Sequence, residues 1–562
     1  MDNLNQQVAE QLIFMGQLLE INNEDSFKVR AYYRAAEQIN RLNRSVKELD
    51  EKGLIQIEGI GKNIAKKIQD IVKTGSFPEL EELKSKIPST LIELLELEGV
   101  GPKTISKLWK QMSIQTIDDL EKAARNHRLR TLKGFGERKE HDILKSIAAN
   151  RQKGQRMNRM EADKVVQRLS SVIAPSSFDV AGSYRRGKST IGDIDLMTIA
   201  SPASLNQKLR SVADEVIDEG DRRSSIRCLG QRVDIRFTKP KEYGTMLVYL
   251  TGSKDFNIKL REIAVTKGFK LNEYGIEERS TNTFHTFERE EDVFTFLSMA
   301  YIPPELRENW GEIEMAMNHN LPNFIKKSDI RGDLHVHSSW SDGHLSIEEL
   351  SQIGEKLRYD YLLCSDHSAT LGIAHGLNPG TLQKQVKEIE QINRRFSCQI
   401  LSGIEVDILG DGTIGLPNQI LRDLDIVIAS IHSGFKQDSD IITRRILSAI
   451  ENDNVDIIGH PTGRLIGQRE AYDVDMTPII KAASDTRTVL EINASPYRLD
   501  LDDIAIKEAR DNNVKLSIGT DAHDESEFAN IVYGIMVARR GWCRSFDVLN
   551  TSPIEELMEF IS

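Results

Sequence analysis

With 562 residues, 39% of them hydrophobic, the chain is long enough for several domains with ordinary soluble cores. A net charge of −12 would argue against a nucleic-acid partner if it were evenly spread. Residues 1–150, however, hold 24 Lys+Arg against 23 Asp+Glu, residues 151–325 hold 26 against 25, and residues 326–562 hold 24 against 38. The deficit sits in the last part, so the acidic total does not exclude a DNA-binding front half. The start, MDNLNQQVAEQL, lacks the pattern of a signal peptide, and no apolar run approaches membrane length, so a cytoplasmic protein without a membrane partner is expected. Cys228, Cys364, Cys398 and Cys543 have no CxxC spacing, which argues against a disulfide framework and a cysteine-ligated zinc site.

In chain order, the first 150 residues have helical periodicity, as in Val8, Leu12, Ile13, Met15, Leu18 and Leu19. One short pattern recurs there: IEGIGKNIAKKI at 57–68, LEGVGPKTISKLW at 97–109 and LKGFGERKEHDIL at 132–144. Each has Gly-apolar-Gly and then an amphipathic helix beginning at the second glycine. A single such run is an ordinary turn, but three copies with basic residues in the helices (Lys62, Lys66, Lys67; Lys103, Lys107; Arg138, Lys139) favour another use. The pattern resembles the helix-hairpin-helix motif. That resemblance implies that Gly59, Gly61, Gly99, Gly101, Gly134 and Gly136 let backbone amides approach DNA phosphates without reading bases. The run SFKVRAYYRAA and the first hairpin are also similar to the small N-terminal domain of the DNA polymerase beta family. There Lys67 matches a lysine that forms a Schiff base with a baseless sugar, the alternative being a solvated lysine near phosphate; Asn63 stands where the vertebrate enzyme has a lysine.

The middle is organised around GSYRRGKSTIGDIDL at 182–196 and RVDIRF at 232–237. Asp193 and Asp195 are two apart in a strand-like segment, so their carboxylates share a face, and Asp234 on a second short run closes a three-carboxylate cluster. Hard oxygen ligands of this kind suit Mg²⁺ or Mn²⁺ and phosphoryl transfer. Residues 182–189 also fit GxxxxGK[ST], but a phosphate loop of that kind needs a helix next, and IGDIDLMTIA reads as a strand. With YLTGSKDFN at 249–257, the set resembles the family X DNA polymerases over roughly residues 1–320. The resemblance implies that Asp193 and Asp195 hold both metals, and that Asp234 holds the catalytic one and helps activate the primer 3′-hydroxyl. It places Ser183, Arg186 and Gly192 on the incoming triphosphate. Tyr249, Gly252 and Asn257 would lie against the nucleotide, with Arg261 near the template minor groove. Leu250 stands where the vertebrate relative has an aromatic residue, which bears on sugar discrimination.

After a polar connection opened by Pro303 and Pro304, short apolar strands alternate with helices: DLHVHSSWSDG, YLLCSDHS, LSGIEVDI, VIASIHSG, DIIGHPTG, VLEINASP and SIGTDAHD. Most of these strands finish in His, Asp or Glu, and in a parallel barrel those ends converge on one face. The set resembles the PHP (polymerase and histidinol phosphatase) domain. The resemblance groups His335, His337, Glu405 and Asp521 around one ion, Asp342, His367 and His460 around a second, and Glu405, His432 and His523 around a third. Nitrogen and oxygen ligands without sulfur suit Mn²⁺, Zn²⁺ or Fe²⁺. Arg464, after the HPTG turn, is either a phosphate contact or a surface arginine.

The expected architecture is multidomain: an α-helical helix-hairpin-helix region, an α+β nucleotidyltransferase palm and thumb, and a C-terminal α/β PHP barrel of seven strands. Boundaries are expected at 1–85 (first helical DNA-binding domain), 86–155 (two further hairpin motifs), 156–250 (palm), 251–320 (thumb-like), 321–332 (linker) and 333–562 (PHP). The implied enzyme is a monomeric repair polymerase acting on gapped or nicked DNA with dNTPs. Its tail would be a 3′–5′ exonuclease, 3′-phosphatase and AP endonuclease. The alternatives are a small-molecule phosphoesterase or pyrophosphatase in the tail, or a non-catalytic DNA-end scaffold.

Overall fold

Helical spacing of apolar residues dominates the front of the chain, and among the described residues the elements there are all helices. In the computed structural model the described residues are all but 1–2, 41–45, 58, 98–99, 133–134, 154–155, 174–177 and 371–373. They fall into two units, 1–155 and 156–562. In the first, the helix Asn3–Ile21 buries Val8, Leu12, Met15, Leu18 and Leu19 on one stripe and packs on the helix Ser26–Asn40. Later helices add Ile64, Ile68, Ile105, Leu108 and Leu120 to the same core. Thr116 starts the helix Ile117–Arg125 with a reciprocal cap to Asp119, which satisfies backbone donors that the first turn cannot.

The second unit begins with a palm. Strands β1 (Met157–Asn158) and β3 (Thr190–Ile191) form a short antiparallel pair. The main sheet contains β2 (Phe178–Val180), β4 (Ile194–Thr198), β5 (Glu215–Glu219), β6 (Arg223–Cys228) and β7 (Gln231–Phe237), in the order β2-β4-β7-β6-β5. Only β4 and β7 run parallel, and their register sets Asp195 opposite Asp234. A thumb follows, with the helices Tyr243–Thr251 and Lys254–Thr266 and a three-stranded antiparallel sheet of β8 (Phe269–Leu271), β9 (Ile276–Glu278) and β10 (Thr283–His285). Phe256, Leu260, Phe294 and Leu297 are its buried centre.

The tail is a nearly closed parallel barrel: β11 (Gly332–Val336), β12 (Tyr361–Cys364), β13 (Gln399–Asp407), β14 (Ile426–Ser430), β15 (Ile457–Ile458), β16 (Val489–Asn493) and β17 (Leu516–Gly519), paired in sequence order. All but the first residue of β13 are buried, as expected for strands covered on both faces. The seam between β17 and β11 is closed by loop residues: the Asp521 amide donates to the His335 carbonyl at 2.9 Å, and the His337 amide to the Ala522 carbonyl at 2.9 Å. Residues 321–332, expected as a linker, include Ile325, which is buried in the barrel's core. Cys228, Cys364, Cys398 and Cys543 are all buried and unpaired by disulfides. Among the described residues no helix is long and apolar enough to cross a membrane.

Palm and thumb are locked by one carboxylate. Glu290 accepts from Arg185 at 2.8 and 2.6 Å and from Arg307 at 2.7 Å, and Arg307 is fully buried. Burial pushes the Glu290 carboxyl up, but the two guanidinium groups outweigh it and bring its pKa from 4.5 down to about 2. Removing the charge leaves Arg307 buried without its counter-ion, at a cost of about 3–5 kcal/mol. Glu290→Gln is therefore expected to lower stability by about that amount in denaturant titrations at neutral pH. Because the folded pKa is depressed, the contribution is complete above pH 4.5 and is lost as pH falls towards 2. The gap between wild type and variant should narrow over that window, and a gap that stays constant would rule out Glu290 as its origin.

Candidate active sites and nucleic-acid interface

At the palm, the parallel pairing of β4 with β7 places Asp195 beside Asp234, and Asp193 lies just before β4 with the strand's two-residue period. Crowding of these carboxylates has a visible electrostatic cost. Burial, with Asp193 and Asp234 adding to it, pushes Asp195 from 3.8 up to about 7, and burial and Asp234 also raise Asp193. Asp234 accepts from Ser225 and from Arg232 at 2.8 and 3.1 Å. A half-buried acidic cluster of this kind fits hard divalent cations.

Gly182 has φ +61°, and a Cβ built on it would lie 2.0 Å from an Asp195 carboxylate oxygen, so the loop could not approach the acids with any other residue. Ser183 and Arg186 belong to the short helical turn Gly182–Arg185 and its cap. The chain then enters β3 and β4, so the helix that a GxxxxGK[ST] phosphate loop requires is not there. Gly192 is exposed beside Arg156. Arg186 donates to the Thr251 carbonyl at 2.5 Å and to Glu308 at 3.0 Å, and its guanidinium is 3.2 Å from where a Gly252 Cβ would be. Asn257 donates to the Tyr249 carbonyl at 2.7 Å, and Arg261 lies 5.6 Å from the Tyr249 ring centre. Tyr249, Gly252, Asn257, Arg261 and Arg186 thus meet at one corner between palm and thumb.

At the barrel, His335, His337, Asp342, His367, Glu405, His432, His460, Asp521 and His523 converge at the carboxyl ends of the strands. Three groups have ligand atoms within 4.8 Å of one another: His337, Asp342, His367 and His523; His335, His337 and Asp521; and His367, Glu405 and His432. Glu405, almost fully buried, lies within 4 Å of five imidazoles, from 2.9 Å (His367) and 3.0 Å (His460) to 3.8 Å (His337). Burial raises the Glu405 carboxyl, but His432, His367 and His335 outweigh it and hold it well below 4.5. His335 Nε2, both ring nitrogens of His337, His367 Nδ1 and both Glu405 oxygens are buried without a hydrogen bond. Orphaned donors and acceptors aimed at one centre are what a bound cation cluster satisfies, so the residues fit divalent metals.

The geometry does not reproduce the groups that the resemblance implies: His523 is 3.5 Å from Asp342 and His460 is 3.0 Å from Glu405, while His337 and His367 each belong to two of the three groups. The cause is strand order: the loop after β17 adjoins β11 and its following loop, whereas β13, β14 and β15 are consecutive neighbours. Two further acids orient the ligands. Glu491 lies 2.6 Å from His335 Nδ1 and accepts from the His460 amide at 2.6 Å, and Asp407 lies 2.9 Å from His432 Nδ1. The signal for both was an acid in a buried stretch of strand, Glu491 in VLEIN and Asp407 at the end of β13. Arg464 donates to the carbonyls of Arg498 and Leu499, and Arg498 reaches Asp521 at 3.4 Å.

In the front unit, Gly61 and Gly101 are the N-caps of the helices Lys62–Thr74 and Pro102–Met112, and Gly136 precedes the helix Glu137–Lys153. Nothing lies within 4 Å of a Cβ built on any of the three, so their backbones are open to a phosphate. Gly59 has φ +86°. Gly99 and Gly134 lie outside the described residues. Lys62, Lys66, Lys103 and Lys107 are exposed. Lys67 is not the solvated lysine of the alternative reading: it is buried, donating to Tyr32 at 2.7 Å and paired with Glu79 at 3.1 Å. Burial lowers the pKa of its amine, but those partners outweigh it and raise it above 10.5.

Comparison with known proteins matches five families along the chain. Residues 3–77 match the helix-hairpin-helix domain family, 91–149 the SAM-like helix-hairpin-helix tandem, 156–236 the DNA polymerase beta palm, 246–308 the DNA polymerase beta thumb and 333–495 the PHP domain. The DNA polymerase/3′-5′ exonuclease PolX of Bacillus subtilis is 36% identical over 557 residues, covering 97% of this chain and 96% of that protein. A probable phosphatase of Thermoanaerobacter sp. is 31% identical over 242 residues, 41% of this chain and 93% of its own length. DNA polymerase lambda of Rattus norvegicus is 24% identical over 343 residues, 54% of this chain and 56% of that protein.

Glu491→Gln keeps the volume of a side chain that holds two ligand histidines but removes its charge. Bound metal, measured per chain in chelator-buffered dialysis, is expected to weaken about 10–100-fold. Unchanged metal content would show that Glu491 does not support the ligands.

Proposed function

Since the chain belongs to the family X DNA polymerases that carry a C-terminal PHP domain, we propose that it fills short gaps in DNA at the palm and processes 3′ ends at the barrel. The observation that carries the palm reading is the register of β4 and β7, which sets Asp195 against Asp234 with Asp193 alongside. Asp193 and Asp195 would hold two Mg²⁺ or Mn²⁺ ions, and Asp234 would share the catalytic one. Such a pair, when bound, stabilises the charge that develops on the attacking and leaving oxygens. Asp234, oriented by Ser225 and Arg232, takes part in removing the proton from the primer 3′-hydroxyl. The 3′-oxygen forms its bond to the α-phosphorus as the bond to the β-phosphate oxygen breaks, and pyrophosphate leaves. Ser183, Arg186 and Gly192 hold the triphosphate, Tyr249, Gly252 and Asn257 the sugar and base, and Arg261 the template side. Gly59, Gly61, Gly99, Gly101, Gly134 and Gly136 bring backbone amides to DNA phosphates, so binding is independent of sequence.

At the barrel, His335, His337, Asp342, His367, Glu405, His432, His460, Asp521 and His523 would hold three divalent ions, Mn²⁺, Zn²⁺ or Fe²⁺. Such ions would supply a nucleophile from water near neutral pH and neutralise a phosphate. Glu491 and Asp407 keep the imidazoles in the ligating tautomer. The substrate is DNA, either at a 3′ end, where a terminal nucleotide or a blocking phosphate is removed, or at an abasic site, where the strand is cut. A second reading rests on the Thermoanaerobacter relative, a probable phosphatase matched along 93% of its length, and makes the substrate a small phosphoester or pyrophosphate. The protein is read as cytoplasmic and monomeric.

The two sites are expected to separate cleanly. With a 5′-labelled primer at a one-nucleotide gap, Asp193→Ala with Asp195→Ala should abolish extension and keep 3′ shortening, and His335→Ala with His337→Ala should do the reverse. Loss of both activities in either folded variant would refute separate sites, and a free nucleotide hydrolysed much faster than a DNA end would favour the second reading.

The same resemblance gives Lys67 a Schiff-base role at a baseless sugar. Tyr32 and Glu79 keep its amine protonated, so that role requires DNA to draw Glu79 away. Borohydride should then trap the wild type on abasic DNA and not Lys67→Ala; equal trapping would remove Lys67 from the reaction.

A further inference from the structure

The loop that carries the proposed triphosphate contacts rests on one helix of the barrel, Ile531–Arg540. Tyr533, Met536 and Arg540 are spaced three and four apart, so they form one stripe of that helix. Each touches the loop or its support. Tyr533 donates to Asp163, whose other oxygen accepts from Tyr184 at 2.6 Å, and Tyr184 lies between Ser183 and Arg186 in sequence. Met536 lies under Gly187, which has φ +70°; a Cβ built there would be 2.5 Å from the Met536 Cγ. Arg540, 1% exposed, donates to the Arg186 carbonyl at 2.6 Å.

The side chains are coupled as well. Glu308 accepts from Arg186 at 3.0 Å and from Arg540 at 3.1 Å, and lies 3.3 Å from Lys188. Asp503 accepts from Arg540 at 2.8 Å and lies 3.7 Å from Lys188. Three cations thus share two carboxylates, leaving one positive charge to face an anion. Burial raises the pKa of Glu308, but Arg540, Arg186 and Lys188 outweigh it and hold the carboxyl below 4.5. An incoming triphosphate must compete with Glu308 for Arg186, and Arg540 sets how strongly Glu308 is held elsewhere.

We infer that the barrel helix Ile531–Arg540 positions the triphosphate loop of the palm, with Arg540 and Tyr533 as positioning residues that set the affinity for the incoming nucleotide. The inference rests on the reading of Arg186 as a triphosphate contact. It makes the barrel part of the polymerase site in addition to its own chemistry.

The test is single-nucleotide gap filling by the full chain at varied dNTP, with 3′ shortening measured on the same preparations. Arg540→Gln should raise KM for dNTP about tenfold with kcat and 3′ shortening little changed, and Arg540→Lys should restore part of the loss. Tyr533→Phe, which removes a single hydroxyl, should raise the same KM by a smaller factor and keeps the test open if Arg540→Gln does not fold. Arg186→Ala is the control. If it raises KM while the Arg540 and Tyr533 variants do not, the positioning role is overturned and the loop reading stands. If Arg186→Ala leaves KM unchanged, both fall. A parallel fall in kcat, DNA affinity and 3′ shortening would mark general damage and also overturn the inference.

Discussion

Parallel strand pairing forces acidic side chains together in this chain, and the two candidate sites depend on it. In the palm, the register of β4 with β7 leaves Asp195 and Asp234 side by side whatever their mutual repulsion. The rise of Asp195 to about 7 measures that repulsion together with burial. In the barrel, the parallel strands end on one rim, so donor atoms from β11 to β17 converge on Glu405. Backbone hydrogen bonds hold the arrangement, which is why His337 keeps both ring nitrogens buried without a hydrogen bond. Both sites gain by taking up cations, because cations relieve what the backbone imposes.

The surroundings preserve these arrangements by different means. Gly182 allows the loop to touch Asp195, Glu290 fixes palm to thumb through Arg185 and Arg307, and Glu491 and Asp407 orient imidazoles from behind. Glu290, Glu491 and Asp407 are buried charges matched by close, directional partners, the condition under which such groups hold a geometry. The exposed lysines of the hairpin unit follow another rule: they need only a field and an open backbone, since phosphate binding tolerates variable side-chain positions.

The helix Ile531–Arg540 joins these themes. Helices that cover a barrel normally bury an apolar stripe against the strands, and this one does so with Ile535 and Ala538. Its other side carries Tyr533, Met536 and Arg540 to the palm. A domain with its own metal-binding residues therefore also shapes a loop of its neighbour, and both occur in the one unit that spans residues 156–562.

Local rules let the sequence by itself determine a good deal: helical periodicity in the front unit, the Asp-x-Asp strand beside a glycine turn, and the strand ends rich in His and Asp. These depend on spacing within a few residues, where backbone period alone decides which side chains share a face. The nine barrel residues implied by the resemblance to the PHP domain lie near one another at the strand ends. Which of them meet was decided by tertiary structure, because strand order around the barrel, and not distance along the chain, put His523 with Asp342 and His460 with Glu405. The burial of Lys67 against Tyr32 and Glu79, the supporting roles of Glu491 and Asp407, and the grip of Arg540 on the palm loop were equally beyond reach. Arg540 lies 354 residues from its partner Arg186. Contacts over such separations are set by how whole elements pack, and no local pattern encodes them.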